Sequence, residues 1–222
     1  MEVRNLHRWD LTPREAADLQ RRMAGLVEST GDPSNVRRVA GVDIVAGARG
    51  SLARGAVVVL SYPELELIES HAVESLAPYP YVPGLLSFRE IPVLIPALER
   101  VQAKVDLVVV DGHGYSHPRR FGLACHLGYL LDLPTIGCAK SRLVGSTEGP
   151  GPARGDRAPL FHEGEVIGEV LRTKERARPL YVSVGHRISL AAATEWVLRL
   201  AAKRRITEPI RLADLASRTG SR

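Results

Sequence analysis

An α/β fold is predicted by three observations. Apolar runs of strand length recur along the chain, helix-length segments separate the later ones, and the first three are joined too tightly for anything but antiparallel pairing. The architecture implied is a mixed sheet, an antiparallel three-strand meander followed by parallel strands, flanked by helices in a single domain over residues 1–222.

Thr12-Pro13-Arg14-Glu15 has the form of a capping box with proline at the first helical position, and predicts a helix to about residue 28. Residues 29–35 hold Gly31 and Pro33 and read as a linker. Strands are expected over 37–45, 55–62 and 65–74. The first two are linked by a segment with Gly47 and Gly50, the last two by Pro63-Glu64. Residues 76–84 carry Pro78, Pro80 and Pro83 and form a loop. A helix is expected over 87–103, with Ser87 and Glu90 spaced as a second capping box. A buried-type strand over 106–111, a helix over 120–131 and a short strand over 134–139 complete the parallel crossovers. After a Gly/Pro-rich loop over 145–157, Glu163-Gly164 marks a hairpin between 158–162 and 165–173. A strand over 180–184, a helix over 189–203 and a short tail helix over 208–217 end the chain.

Composition excludes several classes. At 45% hydrophobic and 25% charged, the 222 residues suit a globular domain rather than a disordered chain. No apolar run approaches the ~20 residues that a membrane span needs, and residues 1–10 lack a signal-peptide core. With only Cys125 and Cys138, there is no disulfide framework, and a reducing cytoplasmic setting is expected. The net charge of +5 is carried almost wholly by arginine, since lysine occurs only at 104, 140, 174 and 203. An arginine excess admits phosphate binding as well as a plain solvated surface.

Two carboxylates stand in apolar strands, Asp43 within the run Val39–Val45 and Asp111 closing Leu107–Val110. Either one alone reads as a turn residue. If the two strands are neighbours, the pair reads as a site for a hard divalent cation, which takes oxygen ligands. Glu90, at the start of a helix, can be a cap or a third ligand. The loop Pro80-Tyr81-Val82-Pro83 is stiff and presents an aromatic ring that can pack on the core or stack on bases. Asp111-Gly112-His113-Gly114 offers exposed backbone to a ligand. His113 and His117 are candidates for orienting water or phosphate, and Lys140 for offsetting phosphate charge. Neither histidine has zinc-ligand spacing with a cysteine. No phosphate-binding loop or dinucleotide fingerprint is present, so no nucleotide cofactor is expected.

Val39–Asp43, Tyr81–Glu90, Val110–Gly114, His117–Gly122, Ile136–Ser141, Val184–Arg187 and Glu208–Asp214 together resemble the endonuclease V family, which nicks deoxyinosine-containing DNA. The resemblance spans nearly the whole chain and implies a ribonuclease H-like fold. It further implies metal ligation by Asp43, Glu90 and Asp111, an active-site Lys140, and a wedge of Pro80, Tyr81, Val82 and Pro83 led by Tyr81. Gly84, Leu85, Leu86, Gly112, Leu123 and Gly137 would form the base pocket. Asp214 falls where some members place a histidine, as a metal ligand or a support. His113, His117 and His186 are supporting candidates for phosphate or site, with holding the Val184–Arg187 turn as the alternative for His186. The implied cofactor is Mg²⁺, with Mn²⁺ as a substitute. The implied partner is inosine-containing DNA, single or double stranded, or RNA, and the implied state is a monomer. The implied cut is at the second phosphodiester bond 3′ to the lesion, leaving 3′-hydroxyl and 5′-phosphate ends. The alternatives are a related ribonuclease H-like nuclease acting on inosine-containing RNA or branched nucleic acid, a non-catalytic nucleic-acid-binding module, and a small-molecule α/β enzyme.

Overall fold

The expected capping box at Thr12 forms: its hydroxyl accepts from the Glu15 N–H, and the Glu15 carboxylate accepts from the Thr12 N–H, opening α1 (Pro13–Ala24). The structure, a computed structural model, describes residues 1–46 and 52–219, so the glycine-bearing link after the first strand lies outside the described residues. The meander follows as β1 (Arg38–Ala46), β2 (Leu52–Ser61) and β3 (Leu67–Leu76), each antiparallel to the next.

Helix α2 (Leu86–Leu98) leads to β4 (Leu107–Val110), which pairs in parallel with β1. Helix α3 (Leu123–Leu131) leads to β5 (Thr135–Ala139), parallel to β4. The expected crossovers are therefore present. The sheet then turns antiparallel again through β8 (Leu180–His186), β7 (Glu165–Leu171) and β6 (Arg157–His162), giving the order β3-β2-β1-β4-β5-β8-β7-β6. Both Glu163 and Gly164, in the β6–β7 turn, have positive φ, as a tight twisted hairpin requires. Helices α4 (Leu190–Ala201) and α5 (Glu208–Thr219) close the chain. Among the described residues, no helix is long and apolar enough to cross a membrane.

Helices α1 and α2 end earlier than expected, at Ala24 rather than about 28 and at Leu98 rather than 103, and two helix starts differ. Helix α2 has no side-chain cap: Leu85 is its N-cap, and Ser87 is bonded to His126 instead of closing a box with Glu90. Helix α3 starts at Leu123 rather than at 120, because Arg120 has φ 55, in the left-handed region, which interrupts a right-handed helix.

Strand alternation divides the core. Ala40, Val42, Val108 and Val110 pack with Ile91, Leu94 and Leu127 beneath α2 and α3. Val39, Leu107, Val109 and Val184 pack with Ala193, Trp196 and Ile210 beneath α4 and α5. Each fully buried branched side chain contributes about 1.5–3 kcal/mol. Gly41 lets α5 approach β1 closely, since a Cβ there would lie 2.3 Å from the Pro209 backbone. That approach carries the far end of α5 to Asp43, two residues further along β1.

Candidate active site

The last paired residues of β1 and β4 are Val42 and Val110. Just beyond them the Asp111 N–H donates to the Val42 carbonyl at 3.4 Å. Asp43, still within β1 and paired with Ala56 of β2, and Asp111, directly after β4, thus lie side by side on neighbouring parallel strands, about 4.8 Å apart in the pairing direction. Asp43 is 7% exposed and accepts a 2.7 Å bond from Ser217 Oγ of α5. Burial raises its pKa. The Ser217 bond opposes that rise, and the negative charges of Asp111 and Asp214 add to it.

Glu90 reaches the same place from α2. Its carboxyl is pushed up to about 8 by burial first, then by the charges of Asp43 and Asp111, with Arg89 pulling the other way. Lys140 follows β5 directly and forms an ion pair with Asp111 Oδ2. Burial works against its charge, but the Asp111 bond and the surrounding carboxylates prevail, and its pKa is raised. Asp214 adds charge to this cluster while both its oxygens bind Arg218, at 2.9 and 3.0 Å.

Asp43, Glu90 and Asp111 are therefore oxygen donors whose charges oppose one another in a desolvated position. That donor chemistry fits a hard divalent cation, which removes the repulsion. Among the described residues, no three His, Cys, Asp or Glu side chains are drawn around one point closely enough to hold an ion as they stand.

Beside the carboxylates lies a cavity of about 130 Å³. Gly84, Leu86, Gly112 and Leu123 line it, together with Tyr81, Val82, Pro83, His113 and His117. Two expected pocket residues are outside this lining. Leu85 is 2% exposed and packs with Tyr79 and Phe88, because as the helix N-cap it turns into the core. Gly137 lies under the 112–114 turn, where a Cβ would come within 2.4 Å of the Gly114 nitrogen. It supports the lining from below.

The loop bearing Tyr81 is pinned at Gly84, whose φ of +77 suits glycine. The Gly84 carbonyl accepts from His117 Nε2 at 3.0 Å and from Arg119 Nη2 at 2.6 Å. Arg119 Nε donates to Gln20 Oε1 at 2.6 Å, tying the loop to α1. Pro80 is half-buried at the loop's base, and Tyr81 is 69% exposed.

His117 Nδ1 accepts from the Arg119 N–H at 3.1 Å, so His117 is neutral with its proton on Nε2. Burial first, and then the Arg119 charge, lowers its pKa to about 3. Burial lowers His113 to about 4, with its Nδ1 2.9 Å from Ser116 Oγ.

His186 is not at this site. It pairs with Thr135 at the opening of β5, whereas Lys140 follows the other end of that strand, roughly 16 Å away at the usual rise. Its Nδ1 accepts from the Glu28 N–H at 3.3 Å, so it holds the segment after α1.

Ser217, Gln20 and Leu143 escaped sequence reasoning. Ser217 stands three residues after Asp214, on the same side of α5, which was a readable signal. Gln20 was a polar residue on the inner face of α1 between Ala16 and Met23. Leu143, which also lines the cavity, carried no signal.

The endonuclease V family model matches residues 21–215. An endonuclease V of Gloeobacter violaceus is 50% identical over 211 residues, covering 94% of this chain and 86% of that one. The crystal structure of endonuclease V from Streptomyces avermitilis superposes with a TM-score of 0.89 at 41% identity, covering 98% and 96% of the two chains. The Ciona intestinalis endonuclease V, solved in complex with a 24mer DNA containing an inosine followed by a ribo-adenosine, gives a TM-score of 0.82 at 29% identity, covering 92% and 95%. With a mixed sheet that sets Asp43 beside Asp111, and with the family model matched from α1 into α5, the chain belongs to the endonuclease V family.

Proposed function

We propose that the protein is a divalent-metal-dependent endonuclease that recognises deoxyinosine in DNA. It hydrolyses the second phosphodiester bond 3′ to the lesion, leaving 3′-hydroxyl and 5′-phosphate ends. The observation that carries this reading is that the cavity and the carboxylates share their supports. Leu86 lines the cavity and Glu90 stands one turn further along α2, while Gly112 lines the cavity directly after Asp111. A base held in the cavity therefore brings its strand to the carboxylates. The DNA bound by the Ciona relative contains an inosine, which supports the choice of substrate.

A deaminated base pairs weakly and is cheaper to unstack than a normal one, by a few kcal/mol. Tyr81, exposed on its pinned loop, fills the vacated stack. The cavity takes the base against fixed backbone, and adenine's exocyclic amine would set a donor against backbone donors there. Asp43, Glu90 and Asp111 would hold Mg²⁺, or Mn²⁺ in its place, which supplies positive charge for activating water and for stabilising the leaving 3′-oxygen. Lys140, released from Asp111, offsets charge on the phosphate.

An end-labelled duplex with one deoxyinosine, incubated with Mg²⁺ or with EDTA, tests the reading at nucleotide resolution. A single Mg²⁺-dependent nick one bond beyond the lesion's 3′ neighbour is expected. Cutting confined to an inosine-containing RNA strand would move the substrate to RNA, and no inosine-dependent cut would reject the reading.

A further inference from the structure

Behind the cavity a chain of hydrogen bonds runs through the core to the N-terminal segment. Ser87 lines the cavity and is 1% exposed, and its Oγ lies 3.0 Å from Nδ1 of the fully buried His126. His126 Nε2 lies 2.6 Å from His7 Nε2, and His7 Nδ1 lies 2.9 Å from the Arg8 carbonyl oxygen. Trp9 stacks on His126 with ring centroids 5.3 Å apart, and Phe88 meets both imidazoles at 5.2 and 5.9 Å. These rings hold the two histidines in register.

The proton positions along this chain follow from its far end. A carbonyl oxygen only accepts, so His7 carries its proton on Nδ1. Neutral His7 then has a lone pair on Nε2, so His126 donates from Nε2. Neutral His126 in turn has a lone pair on Nδ1, so Ser87 donates its single hydroxyl proton to it. What Ser87 Oγ has left is acceptance alone. Burial lowers the pKa of both histidines, His126 well below the ordinary value, in keeping with the neutral forms.

We propose that Ser87 is a specificity-determining residue that accepts the N1–H proton of a lactam base in the cavity, and that His126 and His7 are positioning residues that fix its hydroxyl as an acceptor. The proposal rests on reading the cavity as the base site. Hypoxanthine carries a proton on N1, whereas adenine has a lone pair there. The same oxygen that accepts from the first therefore faces a second acceptor in adenine. A site built to bond a particular N–H rejects the analogue lacking it, because its own polar group is then left unpaired. This selection acts on N1. It is separate from any backbone contact to the keto oxygen, and guanine, which also carries an N1 proton, has to be rejected by other means.

Two measurements on the full chain test this. Nitrogen-15 NMR of the histidine rings is expected to show His7 protonated on Nδ1 and His126 on Nε2. The opposite tautomers would overturn the proposal, whatever the protein binds. Metal-free binding of two otherwise identical oligonucleotides, one with deoxyinosine and one with deoxyadenosine, gives the second readout. Ser87→Ala should lower the preference for inosine roughly three- to tenfold, the range of one neutral hydrogen bond. His7→Phe, which frees the His126 tautomer without touching the cavity, should lower it in the same direction. An unchanged preference in a Ser87→Ala protein of wild-type melting temperature would overturn the proposal while leaving the base-site reading intact. A wild-type protein with no preference for inosine would overturn both.

Discussion

Ser217 Oγ lies 2.7 Å from Asp43 Oδ2, joining the last helix to the first strand across 174 positions of chain. The same oxygen is 2.9 Å from the Asp214 carbonyl. Asp43 is thus oriented by a helix that the rest of the sheet does not need for its hydrogen bonding. Removing a partner that orients a metal-binding carboxylate costs 10–100-fold in metal affinity or activity. Ser217→Ala should raise the Mg²⁺ concentration for half-maximal nicking by about that factor. Asp43→Ala should abolish nicking while metal-free binding of inosine DNA persists. Normal turnover in Asp43→Ala would remove that residue from the site.

Gly41 tests the same contact from the side of packing. A methyl group there meets Pro209 backbone at 2.3 Å, and backbone has nowhere cheap to go. Gly41→Ala should destabilise the protein by about 1–3 kcal/mol, as overpacking does. It should also weaken nicking through the displaced Ser217. Denaturant unfolding of the metal-free protein reads the first effect, and a midpoint equal to wild type would show that α5 adapts freely.

Tyr81 is 69% exposed and is not among the buried residues of the core, so its loss should leave stability nearly unchanged. Tyr81→Ala should instead weaken binding of an inosine duplex by about 1–3 kcal/mol, the range for one stacked base. Fluorescence anisotropy under metal-free conditions measures this. Equal affinity for both proteins would put the wedge elsewhere.

Glu90 makes the metal-free protein sensitive to pH. Its folded pKa of about 8 lies above the ordinary carboxylate value, so between the two the folded state binds the extra proton. The sign follows from linkage: stability is fully present below the unfolded pKa and is lost as pH rises towards 8. The buried histidines His7, His113, His117, His126 and His186 act in the opposite sense below their ordinary pKa of about 6.5, so the Glu90 effect is read above it: without metal, the melting temperature should fall between about pH 7 and 8. Mg²⁺, which needs the deprotonated carboxylate, should reverse the trend. Glu90→Gln should flatten the metal-free slope. A slope that survives in Glu90→Gln would assign the effect to another group.

Some features of this protein are legible in its residues because near neighbours settle them among themselves. Thr12 and Glu15 close their box because both partners lie within one turn. The meander forms because Pro63-Glu64 leaves no room for a crossover. Glu163-Gly164 turns as its residue types require. Asp43 and Asp111 stood out as carboxylates in apolar runs, but that their strands are neighbours is given by the sheet order. Where a side chain has a distant competitor, tertiary structure decided. Ser87 had the spacing for a capping box, but it bonds a histidine 39 positions away that is buried against it. Arg120 was read into a helix, but its guanidinium is held by Glu165 and His162, and its backbone turns left-handed. His186 stood in a stretch that resembles the family and left two roles open, and its position opposite Thr135, bonded to the Glu28 N–H, keeps it away from the carboxylates. The antiparallel return of β8, β7 and β6 beyond β5, and the contact of Ser217 with Asp43, depend on which surfaces meet once the sheet is built. Local spacing specifies hydrogen bonds within a turn. The partners of a buried polar group are specified by everything packed around it, which no local stretch of sequence contains.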